Sequence, residues 1–238
     1  MTIFPDGRGL FETLKTINGC PQFLNLHFQR VFNGARVLNI GIPNVAQLKK
    51  SLLEFIEMNQ VQTSAGRLRI EFYDDGTINL SHSPYEPWTS PAALTTTGLR
   101  VNEKSTISGV KSLPYRENME LIKRANESGF DEVIRFNTRN HVCEGATSNL
   151  LLKIHGKWVT PNLASGCLPG ITRALCLRWF EIQERSIHRD ELADVESVFI
   201  LSSLRGLQPA ISIGPHELVI DSVMTTQGQA RMQAHSID

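Results

Sequence analysis

Lys111 is the residue of this chain best suited to covalent chemistry, and it lies in the irregular stretch GVKSLPY. A lysine that forms a Schiff base with an aldehyde must first lose its proton. Burial or a nearby positive charge lowers a lysine pKa from about 10.4 toward about 7–8, where a neutral amine is available. We therefore interpret Lys111 as a candidate Schiff-base lysine, with a solvated surface lysine as the simpler alternative.

Glu144 could serve as the acidic partner of a buried cation. It follows Val142 and Cys143 near the end of a predicted apolar strand, in the segment VCEGATSNL. Buried carboxylates are rare unless a partner faces them. A protonated pyridine nitrogen would be such a partner, and an exposed charge on an edge strand is the alternative interpretation.

Two further segments are typical of phosphate binding. In SGCLPGITR, Gly170 precedes Ile171 and Thr172, which open a predicted helix. The free N–H groups at the N-terminus of a helix bind phosphate well. In LSSLRG, the hydroxyls of Ser202 and Ser203 follow a predicted strand and precede a tight turn, where side-chain and backbone donors can do the same. A plain helix start and an ordinary turn are the simpler alternatives.

Composition excludes several other classes of function. The 238 residues include 24 Lys+Arg and 24 Asp+Glu, so the formal net charge is zero and lacks the basic signature of a nucleic-acid-binding protein. No run approaches the roughly 18 apolar residues of a membrane span, and the N-terminus has no signal-peptide pattern. We therefore expect a cytoplasmic protein with neither a membrane nor a nucleic acid as partner.

The metal and hydrolase motifs are missing as well. The chain contains no GxGxxG, GxxxxGK[ST], HExxH or GxSxG. Its seven histidines are scattered without ligand spacing, so we predict no metal site and expect these residues at the surface or at helix ends. The four cysteines, Cys20, Cys143, Cys167 and Cys176, form no zinc-binding pattern and are expected to be free thiols.

The first half of the chain must supply part of the framework. Asn18-Gly19 predicts a hairpin, and RLRIEFYDDGTINLSH predicts a second one that turns at residues 74–76. Hydrophobic spacing predicts a helix over residues 25–38, capped by Asn25, and another over residues 45–60. The stretch SPYEPWTSPAALTTTG that follows is rich in turn formers, and we expect no regular element there.

The second half contains groups of predicted strands and a few predicted helices. A helix over residues 116–128 is expected to end at Gly129, and another is expected over residues 171–184. Strands are predicted at DEVIRFN, HVCEG, TSNLLLKI, KWVT, SVFIL and QPAISI, with a terminal helix. Grouped strands with a few helices indicate an α/β (α+β) chain of two domains. We place the domains at residues 1–102 and 103–238 and expect a mobile interdomain loop at residues 101–108.

Seven short segments together resemble the class IV aminotransferase family, the fold-type IV pyridoxal-phosphate (PLP) enzymes. In family order they are GLFET, NLHFQR, GVKSLPY, GFDEVIRFN, EGATSNL, LPGITR and SSLRGLQP. The resemblance covers most of the chain, and EGxxSN followed by GITR is its specific part. It implies a two-domain fold-type IV enzyme, with a smaller N-terminal α/β domain and a larger C-terminal mixed β-barrel-like domain with helices. It also implies PLP as cofactor and a homodimer.

The resemblance further implies roles for individual residues. Lys111 looks like the lysine that attaches the cofactor, Glu144 like the partner of the pyridine nitrogen, and Tyr115 like the tyrosine that hydrogen-bonds the 3′-oxygen of the ring. The other implied cofactor-binding residues form the phosphate site and the wall of the ring pocket: Arg30, Thr147, Asn149, Leu168, Gly170, Ile171, Thr172, Ser202 and Ser203.

The reaction within the family depends on what holds the substrate carboxylates. A 4-amino-4-deoxychorismate lyase of folate biosynthesis acts on a dicarboxylate and releases 4-aminobenzoate and pyruvate, so it needs additional anion sites. Arg205, Arg69 and Arg8 are the candidates. Arginine at position 205 departs from the small residue common in branched-chain aminotransferases, and we therefore predict the lyase.

Other functions stay open at this point. A branched-chain-type amino-acid aminotransferase would need an apolar pocket and one carboxylate site. A PLP-binding protein without turnover and a structural domain without a cofactor are the remaining alternatives. The arginine-x-histidine carboxylate trap of D-amino-acid aminotransferases is missing from RLRIEFYDDG, which argues against that activity.

Overall fold

The structure is a computed structural model that describes residues 8–59 and 64–234. It contains two compact units. The first holds the described residues up to Pro87, together with Val110–Tyr115 and Ala234, and the second holds Trp88–Gly109 and Arg116–Gln233. The predicted boundary between residues 102 and 103 does not coincide with the limits of these units, because the chain returns to the first unit at Val110.

The first unit is a small antiparallel sheet with two helices. Its described elements are β1 (Gly9–Ile17), β2 (Cys20–Pro21), α1 (Leu24–Leu38), α2 (Val45–Met58), β3 (Ala65–Tyr73), β4 (Ile78–Pro84) and β6 (Ser112–Leu113). The strand order is β2-β1-β3-β4. β6 pairs with the first two residues of β1, on the edge opposite β3. Leu10 and Leu14 of β1 pack with Phe28 and Val31 of α1 in one buried cluster. Side chains alternate across a strand, so Glu12 shares this helix-facing side of β1.

Local signals explain most of these elements. Asn18 and Gly19 adopt positive φ angles of 48° and 79° and form the predicted hairpin turn. Asn44 caps α2 in a reciprocal capping box with Gln47. The predicted Asn25 cap is wrong, because α1 starts one residue earlier, after Phe23 in a left-handed conformation, and Asn25 lies inside the helix.

The second unit is built on a larger mixed sheet. Its elements are β5 (Ala92–Val101), α3 (Arg116–Glu127), β7 (Glu132–Asn137), β8 (Val142–Gly145), β9 (Asn149–Ile154), β10 (Lys157–Pro161), α4 (Ile171–Trp179), β11 (Gln183–Arg185), β12 (Val195–Ser202), β13 (Gly206–Ile213), β14 (His216–Glu217), α5 (Ser222–Ala234) and two short 3₁₀ turns at Leu163–Ser165 and Arg189–Asp194. The described strands run in the order β11-β10-β9-β12-β13-β5-β7-β8, with β14 beside β13. This mixture confirms the predicted α/β class.

Two predictions for this unit are wrong. The segment at residues 92–98, expected to be irregular, forms the larger part of β5, which lies between β13 and β7 as a parallel neighbour of both. The turn-forming residues of this segment did not indicate a strand, although the first half of β5 is more buried than its second half. The helix that opens at Ile171 ends at Trp179 rather than at residue 184, because Phe180 is extended and β11 then pairs with β10.

The segment before Lys111 is attached to the second unit by side-chain hydrogen bonds. The Glu103 carboxylate accepts hydrogen bonds from the Thr138 hydroxyl, at 2.8 Å, and from the Arg139 guanidinium, at 3.0 Å. The Ser108 hydroxyl donates to the carbonyl of Gly166 at 3.2 Å. These bonds join Glu103 and Ser108 to the second unit, and the mobility of residues 101–108 stays a prediction. In the part of the chain described, no helix is long and apolar enough to cross a bilayer.

Candidate active site

Lys111 is held against two aromatic rings of the first unit. Its carbonyl oxygen accepts a 3.0 Å hydrogen bond from the N–H of Phe11, which fixes the lysine beside β1. Its Nζ lies 4.3 Å from the centroid of the Phe11 ring and 5.3 Å from that of Tyr115. The two rings meet edge to face with centroids 4.9 Å apart. The amine of this half-buried lysine therefore has a defined aromatic surrounding.

The Phe11 ring carries a second cation. The Cζ of Arg69 lies 4.1 Å from the ring centroid, and its Nε donates a 2.7 Å hydrogen bond to Glu71. In the β1–β3 register, Glu71 stands directly opposite Phe11. Arg69 is thus a predicted substrate arginine that the structure places on the same ring as Lys111.

Glu12 anchors a buried ionic cluster on the other side of β1. Its carboxylate accepts hydrogen bonds from Nε and Nη2 of Arg30, at 2.8 and 2.6 Å, and one from Nδ1 of His27 at 2.7 Å. His27 is fully buried in the first turn of α1, so the surface alternative predicted for it is wrong. Arg30 therefore has a carboxylate partner within its own unit. The predicted substrate arginine Arg8 donates to the carbonyl of Leu38, at the end of α1.

Electrostatics fix the charge states in this cluster. Burial alone would raise the pKa of Glu12, but the charges and hydrogen bonds of Arg30 and His27 lower it to about 2. For His27, burial is the main reason for a lowered pKa; Glu12 opposes it, and the charges of Arg30 and Lys111 add to it. At neutral pH the cluster therefore holds an ionised Glu12 and a neutral His27.

Backbone contacts gather four predicted residues of the second unit. The carboxylate of Glu144 accepts a 2.8 Å hydrogen bond from the N–H of Leu168, whose carbonyl accepts one from the side-chain amide of Asn149, also at 2.8 Å. A Cβ at Gly170 would stand 1.8 Å from Oδ1 of Asn149, so only glycine permits this approach. The segment that leads into α4 is thus joined to both β8 and β9.

Two thiols near Glu144 stay neutral. Burial, reinforced by the charge of Glu144, raises the pKa of Cys167 to about 11 and raises that of Cys143 still further. All four cysteines are free thiols, as expected, and only Cys20 is exposed. Glu144 is therefore not accompanied by a thiolate at neutral pH.

The start of α4 provides backbone donors for an anion. Gly170 is the N-cap, and no side chain caps this end, so the N–H groups around the buried Ile171 and Thr172 are available. The helix packs against β12, whose last residue is Ser202. Ser203 follows in the turn, where the hydroxyl of Ser202 accepts a 3.2 Å hydrogen bond from the N–H of Arg205.

These groups fit PLP in chemical type. Lys111 could supply an amine for its aldehyde, Glu144 an acceptor for a protonated pyridine nitrogen, and the start of α4 N–H donors for its phosphate. Lys111 and Tyr115 belong to the first unit, whereas Glu144 and α4 belong to the second. No group of three or more metal-ligating side chains occurs among the residues described.

Glu132 is a second buried carboxylate that the sequence analysis missed. Its side chain is 0% exposed and accepts hydrogen bonds from the N–H groups of Val133, Ala146 and Thr147 and from the hydroxyls of Thr147 and Ser148. It therefore determines the conformation of the turn that joins β8 to β9. The available signal was an acidic residue directly before the apolar pair Val133 and Ile134.

The same carboxylate requires a glycine beside it. A Cβ at Gly145 would stand 2.3 Å from the hydroxyl oxygen of Ser148 and 3.0 Å from Cδ of Glu132. The glycine of the EGATSN motif is thus explained by packing: the turn closes around Glu132 only where no side chain intervenes. Thr147, predicted to line or support the cofactor ring, is held there through its hydroxyl at 2.7 Å from Glu132.

Arg205 contacts the same carboxylate and an aromatic ring. Its guanidinium lies 3.7 Å from the centroid of Trp88, and its Nη1 lies 3.7 Å from Glu132. Trp88, which the sequence analysis did not single out, packs against the main core of the second unit. Arg205 is therefore held in place, and its side chain is only 16% exposed.

We predict that Glu12 makes the fold sensitive to acid. Because its folded pKa of about 2 lies below the usual 4.5, ionised Glu12 stabilises the fold at all pH values above 4.5. This contribution is lost as the pH falls from 4.5 toward 2. Urea denaturation from pH 7 to pH 3 should show a steeper loss of stability for the wild type than for Glu12→Gln. The exposed Glu54→Gln is the control and should retain the wild-type slope.

Replacement of Glu132 by alanine should destabilise the protein strongly. The change removes the acceptor of the Val133 and Thr147 N–H groups and of two hydroxyls, and one of the two acceptors of the Ala146 N–H. A buried network of this kind is worth about 3 kcal/mol or more. Chemical denaturation measures the loss. Glu120→Ala, on the exposed face of α3, should change stability by less than about 0.5 kcal/mol. Equal stabilities of the two variants would contradict the role given to Glu132.

Comparison with known proteins identifies the family. The profile of the family described as "Amino-transferase class IV" matches residues 9–213. A probable branched-chain-amino-acid aminotransferase of Thermotoga maritima is 26% identical over 87% of this chain and 78% of its own. A bifunctional aminodeoxychorismate lyase / D-amino acid transaminase of Mycobacterium tuberculosis is 23% identical over 83% of this chain and 79% of its own.

The fold agrees with this assignment. A crystal structure from Legionella pneumophila, provisionally described as a 4-amino-4-deoxychorismate lyase, superposes with a TM-score of 0.87 at 24% identity and covers 95% of this chain and 91% of that one. The predicted fold-type IV architecture is thereby confirmed. The chain belongs to the class IV aminotransferase family and is a PLP-dependent enzyme.

Proposed function

We propose that this enzyme is a 4-amino-4-deoxychorismate lyase that releases 4-aminobenzoate and pyruvate. The observation that carries the proposal is a pair of guanidinium groups, each held on an aromatic ring: Arg69 over Phe11 in the first unit and Arg205 over Trp88 in the second. The substrate carries two carboxylates, and the planar fork of arginine matches a carboxylate. A single-carboxylate substrate would need one such group.

Lys111 is the proposed catalytic residue. PLP, when bound, supplies the electron sink for the carbanion that the reaction requires. The amine of Lys111 holds the cofactor, and once substrate has displaced it, this amine is the base for the proton on the carbon that bears the substrate amino group. Its position is fixed by the Phe11 ring and by the backbone hydrogen bond to β1.

The second unit is proposed to orient the cofactor. Glu144 would keep the pyridine nitrogen protonated, with its own position fixed by the N–H of Leu168. Phosphate would lie at the uncapped start of α4, near Thr172 and Ser203, and Tyr115 would donate to the ring oxygen. A phosphate contact for Arg30 stays a prediction, because its Nε and Nη2 already bind Glu12.

A branched-chain-type aminotransferase is the second candidate. It is favoured by the relative from Thermotoga maritima, which is described as a probable enzyme of that kind. In that case Arg69 would bind the single carboxylate of the amino acid, and the rest of the pocket would be apolar. A cytoplasmic location and a homodimer are part of the proposal for either activity.

We expect Lys111→Ala to abolish the long-wavelength absorbance of the bound cofactor, because no amine would then hold the aldehyde. Absorbance spectra of the purified protein in the presence of PLP measure this. Lys104→Ala removes an exposed lysine seven positions earlier and should keep the wild-type spectrum. A wild-type spectrum for Lys111→Ala would exclude it as the attachment site.

The proposed activity is tested by two assays on the wild-type holoenzyme. One uses 4-amino-4-deoxychorismate and detects 4-aminobenzoate, and the other uses leucine with 2-oxoglutarate and detects glutamate. We expect 4-aminobenzoate to form at the greater kcat/KM. Glutamate as the sole product would assign the chain to the aminotransferases and refute the lyase proposal.

The Arg69→Leu variant tests the first anion site. Loss of a charge-assisted hydrogen bond to a substrate carboxylate lowers kcat/KM by about 10–100-fold. Arg67→Leu, on the same strand and exposed, is the matched control and should retain wild-type kinetics. If both variants were equally active, Arg69 would have no part in substrate binding.

A further inference from the structure

Among residues 8–59 and 64–234, Arg205 has a partner for its charge but none for its side-chain hydrogen-bond donors. Its Nη1 is 3.7 Å from the Glu132 carboxylate, which is beyond hydrogen-bond distance. No side-chain N–H of Arg205 makes a hydrogen bond to any residue described. The Cζ of the guanidinium instead lies over the Trp88 ring, 3.7 Å from its centroid. The ring and the charge of Glu132 therefore hold the guanidinium in place, while the fork formed by its N–H groups is not occupied by any residue described.

The other buried arginines behave differently. Arg30 binds Glu12 through two nitrogens, Arg135 donates to Glu117, and Arg173 donates to Glu184. In each case a carboxylate already occupies part of the guanidinium fork, so the residue contributes to the fold. Arg205 is also mostly buried, with 16% of its side chain exposed, but among the residues described no carboxylate lies within hydrogen-bond distance of its guanidinium.

Glu132 cannot occupy the Arg205 fork. A carboxylate offers about four lone-pair sites, and Glu132 already accepts five hydrogen bonds from Val133 and the turn Ala146–Ser148. Its charge offsets the cost of burying the guanidinium, but its lone pairs are used elsewhere. An oxyanion from outside the chain would find five N–H donors in a fixed plane.

Trp88 is the group that keeps this plane in place. Its ring packs against the buried core around Ala92, Ile134 and Ala210. The segment that carries it is tied down where Gln208 donates a 2.7 Å hydrogen bond to the carbonyl of Ser90. A platform anchored in this way removes rotamer freedom from Arg205 before any ligand arrives.

We propose that Trp88 is a specificity-determining residue that holds Arg205 open for the second carboxylate of a diacid substrate. Trp88 acts through Arg205 and is a positioning residue. The inference rests on the proposed function in that the substrate is a diacid. The cofactor phosphate is the other oxyanion of this enzyme, but the uncapped start of α4 already offers backbone donors for it. The unoccupied fork of Arg205 matches the two oxygens of a carboxylate.

The test measures binding of isophthalate, an inert aromatic diacid, and of benzoate, its monoacid, to the holoenzyme by calorimetry. The variants are Trp88→Leu, Trp88→Phe, Arg205→Leu and the double variant Trp88→Leu/Arg205→Leu. We expect Trp88→Leu to weaken isophthalate about 10-fold and benzoate less than 2-fold, with Trp88→Phe in between. In the Arg205→Leu background, Trp88→Leu should cause no further loss.

Controls separate this role from simple destabilisation. Trp158→Leu removes another ring of the same unit, with Lys153 5.6 Å from its centroid, and should leave the preference for isophthalate unchanged. The melting temperature and the Kd for PLP are measured for each variant. Three outcomes would each overturn the proposal. Trp88→Leu could weaken the binding of isophthalate and benzoate equally, or the losses could add in the double variant. Trp88→Leu could also weaken the binding of PLP while leaving that of isophthalate unchanged.

The outcome is independent of the lyase assay. If the wild type forms no 4-aminobenzoate but Trp88→Leu weakens isophthalate binding, the proposed function is refuted and the diacid site is supported. If the wild type is an active lyase and Trp88→Leu leaves its KM for 4-amino-4-deoxychorismate unchanged, the proposed function is supported and the role of Trp88 is refuted.

Discussion

Each unit of this protein is organised around a carboxylate that water does not reach. Such a group is tolerated only where donors replace its hydration, so it dictates the conformation of whatever supplies them. In the first unit, Glu12 draws Arg30 and His27 of α1 onto β1. In the second, Glu132 determines the turn between β8 and β9. Two residues proposed for the cofactor site, Glu144 and Asn149, lie on the strands that this turn joins.

Aromatic rings perform a second task, which is to hold cations without using their donors. A cation on the face of a ring is attracted by the quadrupole of the ring and still presents its N–H groups to a ligand. Trp88 holds Arg205 in this way. Phe11 contacts Lys111 and Arg69 as well, but Nε of Arg69 also donates to Glu71. An ion pair such as Arg30 with Glu12 gives rigidity at the expense of those donors. Rings and ion pairs therefore both position cations in the part of the chain described, and a ring does so without using N–H groups.

The sequence predicted those features that local patterns specify. The Asn18-Gly19 hairpin, the start of α2 after Asn44 and the helix start at Ile171 depend on backbone conformations that a few neighbouring residues determine. β5 could not be predicted in this way, since its strand character comes from the parallel neighbours β7 and β13 that cover it. Burial of His27 and the convergence of donors on Glu132 also depend on residues distant in sequence. Motif order identified the family, but not the contacts that orient its residues.

The family leaves the reaction open for a physical reason. The electron sink is a property of the cofactor, so a lyase and an aminotransferase can share the lysine, the acidic partner and the phosphate site. What differs is the binding energy available to a particular substrate, and this depends on where fixed charges meet its carboxylates. An arginine adds to that energy through the donors that the fold has not already bound. The distinction between Arg30, bound within the fold, and Arg205, stacked and unoccupied, therefore bears more directly on substrate choice than any shared motif.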